Sequence, residues 1–277
     1  MKRILTVQDI SCIGKCSLTV ALPIISAMGV ETCVLPTSVL STHTSFQGFT
    51  FRDLTEDIIP ICAHWKKEQI TFDAIYTGYL GSKEQIHLMV EIFDKFASND
   101  TLLFVDPAMA DNGKLYAGFD ESFATCMTKL CSKAHIIVPN LTEACYMLGI
   151  EYIGDSYTET DIRNILKQLG SFGVKQVVVT GISLKPDELG VMAYDVASET
   201  YYSYFNRKVG SSYHGTGDIF ASTCVGAMMK GFSLYEALKL AVDYTLECIC
   251  QTEDDSDHRW YGVNFESAIP MLVEKIR

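Results

Sequence analysis

Asp218 closes the segment His214-Gly215-Thr216-Gly217-Asp218, directly ahead of the apolar run Ile219-Phe220-Ala221. Two glycines let a backbone come close to a ligand, and the apolar run predicts a helix over 216–229. The first amides of that helix have no intrahelical partner. With the helix dipole they favour an anion, such as a phosphoryl group in transit. A carboxylate at that point can take the proton from an attacking hydroxyl while the amides hold the phosphoryl oxygens, which is the division of labour phosphoryl transfer needs. An acid in the first turn of a helix also simply complements the dipole, so these five residues leave both readings open.

Further candidates lie where predicted strands end. In Asp106-Pro107-Ala108-Met109-Ala110-Asp111 the proline stops a strand and aims carboxylates out of the sheet. Pro139-Asn140-Leu141-Thr142-Glu143 repeats the device. There Asn140 can cap the next helix with Glu143 completing the cap, or the carboxylates can serve Mg2+ beside nucleotide phosphates, directly or through water, with Glu143 the stronger choice. Thr180-Gly181 ends a Val-rich strand and offers a hydroxyl and a bare backbone to phosphate, a weak signal alone. Ser41-Thr42-His43-Thr44 is either part of a site or a polar turn. Neither a Gly-x-x-x-x-Gly-Lys-Ser/Thr loop nor a Gly-x-Gly-x-x-Gly after the first strand is present, so any nucleotide is bound by other means.

Elements that could position these residues alternate along the whole chain. Strands are predicted over 3–8, 31–35, 73–77, 102–106, 136–138 and 176–180. Helices are predicted over 17–28, 54–67, 82–96, 121–131, 141–148, 159–169, 216–229, 233–250 and 264–275. Right-handed βαβ crossovers place the strands in one mostly parallel sheet between two helical layers, with ligands beyond the strands' carboxyl ends. Asp9, Gly78, Asp106, Asn140 and Gly181 all fall there. Segments 191–196 and 200–205 alternate as an edge hairpin. No linker or repeat interrupts the 277 residues, which predicts one domain over 1–277.

Asp and Glu number 34 against 22 Lys and Arg, a net charge of -12, which argues against a nucleic-acid partner. No apolar run reaches the roughly 20 residues that span a bilayer, and the N-terminal run is too short for a signal peptide. The expectation is a soluble, cytoplasmic protein with no membrane partner. Ten cysteines without a Cys-x-x-Cys pair read as small buried hydrophobes in a reducing compartment.

Taken in order, these segments resemble the ribokinase-like superfamily, and within it the vitamin B6 (pyridoxal/pyridoxine/pyridoxamine) kinases. The resemblance spans nearly the full chain. It rests on Val7-Gln8 with Gly14, Ser38 to Thr44, Thr77-Gly78-Tyr79-Leu80-Gly81, Asp106-Pro107, Pro139-Asn140-x-x-Glu143 and Gly215-Thr216-Gly217-Asp218. It implies a three-layer αβα sandwich, ATP with Mg2+ and often K+ as helpers, and a homodimer. It also implies Asp218 as the base for a 5'-hydroxymethyl group and the amides of Gly215, Thr216 and Gly217 as the anion hole. Thr44 and Tyr79 would line the pyridine pocket. Asp106, Asp111, Asn140 and Glu143 would serve Mg-ATP, with Thr180 and Gly181 at the phosphates.

This chain departs from the pattern at Asp9, where the best-known members carry a serine against the ring. A carboxylate there is expected to accept from a protonated pyridine nitrogen or from the pyridoxamine ammonium. The segment 208–213, rich in Gly and Ser ahead of the anion hole, is expected as a cover. Kinases of hydroxymethylpyrimidine or of a sugar would use the same base and anion hole. A lyase on the same fold and a silent binding protein are the more distant alternatives.

Overall fold

A computed structural model describes residues 1–154, 156–210 and 213–277. The chain separates into two compact units, one made of Met1–Gly81 with Val209–Arg277 and the other of Ser82–Lys208. The α/β architecture with a mostly parallel sheet is the expected one.

In the first unit, β1 (Arg3–Ser11) lies between β2 (Glu31–Leu40) and β4 (Ala74–Thr77), parallel to both, and β3 (Phe51–Asp53) is added antiparallel at the edge. β1 is fully buried at Ile4, Leu5 and Val7, because helices cover it. α1 (Leu18–Ala27) packs on β1 and β2, and α2 (Thr55–Lys67) packs on β2; the C-terminal α7 (Thr216–Met229), α8 (Leu234–Glu253) and α9 (Phe265–Lys275) pack on one another, with α7 and α9 also against α1. α7 is buried without a break from Ile219 to Ala227 and packs against α1 and α8, so its N-terminus is held by a rigid apolar shaft.

In the second unit, β5 (Leu102–Val105), β8 (Ile136–Ile137) and β9 (Gln176–Ile182) run parallel. The hairpin of β10 (Glu188–Asp195) and β11 (Thr200–Arg207) follows antiparallel. Helices α3 (Lys83–Phe96), α4 (Glu121–Cys131), α5 (Leu141–Leu148) and α6 (Glu159–Gly170) complete it, and the short pair β6 (Ala110–Asp111) and β7 (Lys114–Leu115) forms a separate ribbon.

Most differences from the sequence reading are extensions. β2 continues past Pro36 to Leu40 because β3 pairs only with Ser38 to Leu40. Pro36 therefore sits where β2 has a partner on one side only, the position at which a missing N–H is tolerated. The hairpin is longer at its open end, starting at Glu188 and ending at Arg207, while β10 stops at Asp195, one residue short of the expected bound, and α8 runs about one further turn to Glu253. Among the described residues no cysteine is bridged; Cys62, Cys131, Cys145, Cys224 and Cys248 are buried as expected, Cys16, Cys33, Cys126 and Cys250 are partly exposed, and Cys12 is exposed. No helix among them is long and apolar enough to cross a membrane. Residues 211 and 212, inside the expected cover, lie outside the described residues.

Candidate active site

α7 begins on Gly215 in the left-handed region (φ 81°), which leaves it without a side-chain cap. A Cβ at Gly215 would stand 2.0 Å from the Lys15 carbonyl oxygen, so only glycine lets this turn close against the β1–α1 loop. The first-turn amides of α7 thus remain available to a ligand, as the two glycines suggest. Thr216 Oγ1 donates to the Tyr213 carbonyl (3.1 Å), so its hydroxyl is engaged with the segment entering α7.

Asp218 lies in the first turn and accepts a hydrogen bond from the Ser17 backbone N–H. Burial pushes its carboxyl up to about 7, assisted by the negative charge of Asp9 and opposed by that hydrogen bond. A base balanced near neutrality is what abstraction of an alcohol proton at physiological pH requires.

Asp9 is reached by a different device. β1 pairs with β2 in regular register up to Gln8–Pro36 and resumes one residue displaced at Ile10–Val39, so Asp9 alone faces two residues of β2, Thr37 and Ser38. Bulges of this kind re-aim a side chain beside functional sites. The Asp9 side chain is 4% exposed, accepts from Ser11 Oγ (2.9 Å) and from the Ser17 hydroxyl, and has its pKa raised chiefly by burial. Ser17 thereby serves both acids, hydroxyl to Asp9 and backbone N–H to Asp218. It does so at the N-cap of α1 without capping that helix, with φ 51°. Lys15 is likewise at positive φ (35°). Two such non-glycine residues in one loop store of order 1–3 kcal/mol each, strain typical of functional turns.

Tyr79 follows from the β1–β4 register, since Val7 pairs with Thr77 and the residues two further on are Asp9 and Tyr79. Its phenol is pushed up to about 12 by burial and then by the Asp9 charge. The Cys16 thiol is raised by burial, then by Asp218 and Asp9, so it shares their surroundings. Thr44 is exposed on the loop after β2, next to buried His43. Sequence reasoning passed over Ser17 and Cys16. A cluster of small polar residues at the β1–α1 junction was the signal present, and it looks like any helix start.

The second unit gathers the other candidates. Glu143 Oε2 accepts from Asn140 N–H (2.8 Å) and Asn140 Oδ1 accepts from Glu143 N–H (2.9 Å), the capping box the sequence allowed. Glu143 Oε1 also accepts from Met109 N–H (3.0 Å), and Asn140 Nδ2 donates to the Ala110 carbonyl (2.8 Å). The helix cap thus straps down the 106–111 loop. Burial drives the Glu143 carboxyl up to about 7 against these donors, with Asp111 adding repulsion. Asp106 is 8% exposed, and the Cys131 thiol, raised chiefly by burial, feels the charge of both Glu143 and Asp106. Thr180 bridges to Asn140 in parallel pairing, its N–H donating to the Pro139 carbonyl (3.0 Å), and Gly181 follows in the left-handed region (φ 73°). Asp111 is exposed and accepts from Asn112 N–H (2.9 Å).

Mg2+ chemistry asks for one or two hard carboxylates, the remaining positions being water and phosphate. Asp106 and Glu143 meet that demand in kind, with Glu143 committed to backbone donors and therefore suited to act through water. Among the described residues no group of three acidic, His or Cys side chains forms a cage of its own.

The family model for phosphomethylpyrimidine kinase matches residues 21–259. The structure superposes with TM-score 0.93 on a protein of Bacteroides thetaiotaomicron, assigned as a phosphomethylpyrimidine kinase and crystallised with pyridoxal, at 38% identity, covering 98% of this chain and 95% of that one. It superposes with TM-score 0.89 on pyridoxal kinase from Lactobacillus plantarum, at 30% identity, covering 99% and 97%. A hydroxymethylpyrimidine/phosphomethylpyrimidine kinase of Bacillus subtilis is 25% identical over 229 residues, 81% of this chain and 79% of that protein.

Proposed function

Because this chain belongs to the phosphomethylpyrimidine kinase family, we propose that it phosphorylates the 5'-hydroxymethyl group of a B6 vitamer with ATP. It is a kinase of the pyridoxal and hydroxymethylpyrimidine kinase group. The observation that carries the mechanism is Asp218, a carboxylate lifted to about 7 and standing in the first turn of an uncapped helix N-terminus. Its ionised form accepts the hydroxyl proton as the oxygen attacks the γ-phosphorus. The first amides of α7, from Gly215 to Gly217, hold the oxygens of the moving phosphoryl group. The bond to the ADP oxygen breaks, and the proton leaves Asp218 for solvent afterwards.

Asp106 and Glu143 would hold Mg2+, with Asp111, Asn140, Thr180 and Gly181 serving the nucleotide phosphates. When bound, the ion neutralises charge on the phosphate oxygens. For the acceptor, the 38% identical protein that crystallised with pyridoxal supports a B6 vitamer. Thr44 and Tyr79 suit a flat ring. The family description and the Bacillus subtilis relative favour hydroxymethylpyrimidine as the second reading.

A panel of pyridoxal, pyridoxine, pyridoxamine and hydroxymethylpyrimidine with Mg-ATP, read by product mass, decides between them. Exclusive turnover of the pyrimidine would overturn the vitamer assignment. Asp218→Asn keeps the shape of the side chain but cannot take a proton, so kcat should fall by about 10²–10⁴-fold. Calorimetry should show Mg-ATP binding little changed, and near-wild-type turnover would refute the base.

A further inference from the structure

A hydrogen-bonded pile of aromatic rings ties the start of the anion hole to the loop that carries Thr44, and the mechanism above makes no use of it. His43 is buried against Gly14, where a Cβ would meet its ring at 2.4 Å. Its Nε2–H donates to the Tyr261 carbonyl (3.1 Å), and its Nδ1 accepts the Ser45 backbone N–H (3.1 Å). That pairing fixes the neutral tautomer with the proton on Nε2. The Ser45 hydroxyl is hydrogen-bonded to His214 Nε2, and the two imidazoles lie 4.7 Å apart in a tilted stack. Phe46 and Trp260 (centroids 4.5 Å apart) and Tyr261 complete the pile.

Ser45 is therefore bonded to both imidazoles, through its backbone to one and its hydroxyl to the other. His214 immediately precedes Gly215, and Thr44 lies between His43 and Ser45. Gly215 is backed on one side by the Lys15 carbonyl, so the His214 side chain supplies a second tether for the chain entering α7. The direction of the anion-hole amides depends on where that chain is held, and misplacement by about 1 Å can cost about 100-fold in rate.

We propose that Ser45 and His214 are positioning residues, a clamp that locks the Thr44 loop to the entrance of α7 so that acceptor alcohol and phosphoryl group are aligned together. Each residue acts through the chain segment it holds. It rests on the kinase reading and not on which alcohol is preferred.

The test is a double-mutant cycle with Ser45→Ala and His214→Ala, run on whichever alcohol the wild-type enzyme phosphorylates. Both side chains are at the surface, so the variants should melt within a few degrees of wild type. Each single change should lower kcat about tenfold with KM for Mg-ATP nearly unchanged, and the double variant should lose no more than the worse single. Losses that multiply to about 100-fold, or singles with wild-type kcat, overturn the clamp.

A second measurement does not depend on turnover. In a Trp65→Phe background the remaining tryptophan, Trp260, touches His43 and Phe46. Its emission should change when Mg-AMP-PNP is added, and Ser45→Ala should remove that response. A response that survives the substitution, or none in the parent protein, counts against the clamp. Absence of wild-type turnover on every alcohol in the panel would instead strike the kinase reading itself, an outcome distinct from a wild-type enzyme that turns over but shows no coupling between Ser45 and His214.

Discussion

At Ser17 a single residue holds two acids of like charge close together, which sets the chemistry of both. Asp9 contributes to raising Asp218, and burial raises each. In the proposed mechanism the base works ionised, so kcat/KM should rise as pH increases through about 7 and level off above it. Asp9→Asn removes a nearby negative charge, lowers the Asp218 pKa and should move that limb to more acid pH. Substrate ionisation is common to both enzymes, so the difference between their profiles between pH 5.5 and 9 isolates the effect; superimposable limbs would show that Asp9 does not govern the base. Asp9 is also a buried carboxylate whose identified donors are neutral serines. A cationic acceptor would give it a charged partner, a bond worth about 1.5–3 kcal/mol. Asp9→Ser should accordingly lower kcat/KM for pyridoxamine about tenfold or more relative to pyridoxal. An unchanged ratio would sink the idea.

Elements deliver these residues with differing legibility. α7 was readable from Gly-x-Gly-Asp and an apolar run, because helix boundaries and left-handed glycines are local properties of sequence. The strand ends at Asp106 and Asn140 were readable for the same reason, through their prolines. The β2 bulge opposite Asp9 was not, since it arises from the pairing of β1 with β2 and no local residue signals it. The clamp was invisible too: Ser45, His214 and Tyr261 are far apart in sequence and meet only through the fold. Glu143 is an intermediate case, read both as a cap and as a metal carboxylate, and found to cap α5 while strapping the 106–111 loop. Glu143→Gln would replace one carboxylate oxygen by an NH2 facing a backbone donor. A buried donor left unpaired costs about 1–3 kcal/mol, so the melting temperature should drop by several degrees and the Mg2+ requirement should rise. A titration identical to wild type in Mg2+ would confine Glu143 to its structural duty.

Over the whole molecule the buried acids make the fold sensitive to pH in one direction. Asp9 and Asp218 in one unit and Glu143 in the other all have folded-state pKa values raised above those of free carboxyls. Between about pH 4 and 7 the folded chain therefore binds more protons than the unfolded one, and stability falls as pH rises through that window. The excess of acidic over basic residues, a net charge of -12, adds general repulsion in the same direction. In the proposed mechanism a desolvated base is kept ready for proton transfer at that loss, and removing the Asp218 carboxylate should return it. Asp218→Asn should raise the melting temperature at pH 8 by about 2–4 °C, the shift that roughly 1 kcal/mol produces in a large domain. The gain should shrink towards pH 5, where the wild-type carboxyl is already protonated in the folded state and less stability has been lost. A variant that melts below wild type at pH 8, or whose gain is the same at both pH values, would mean that the Asp218 carboxylate is not held against its solvation, and its basicity would need another origin.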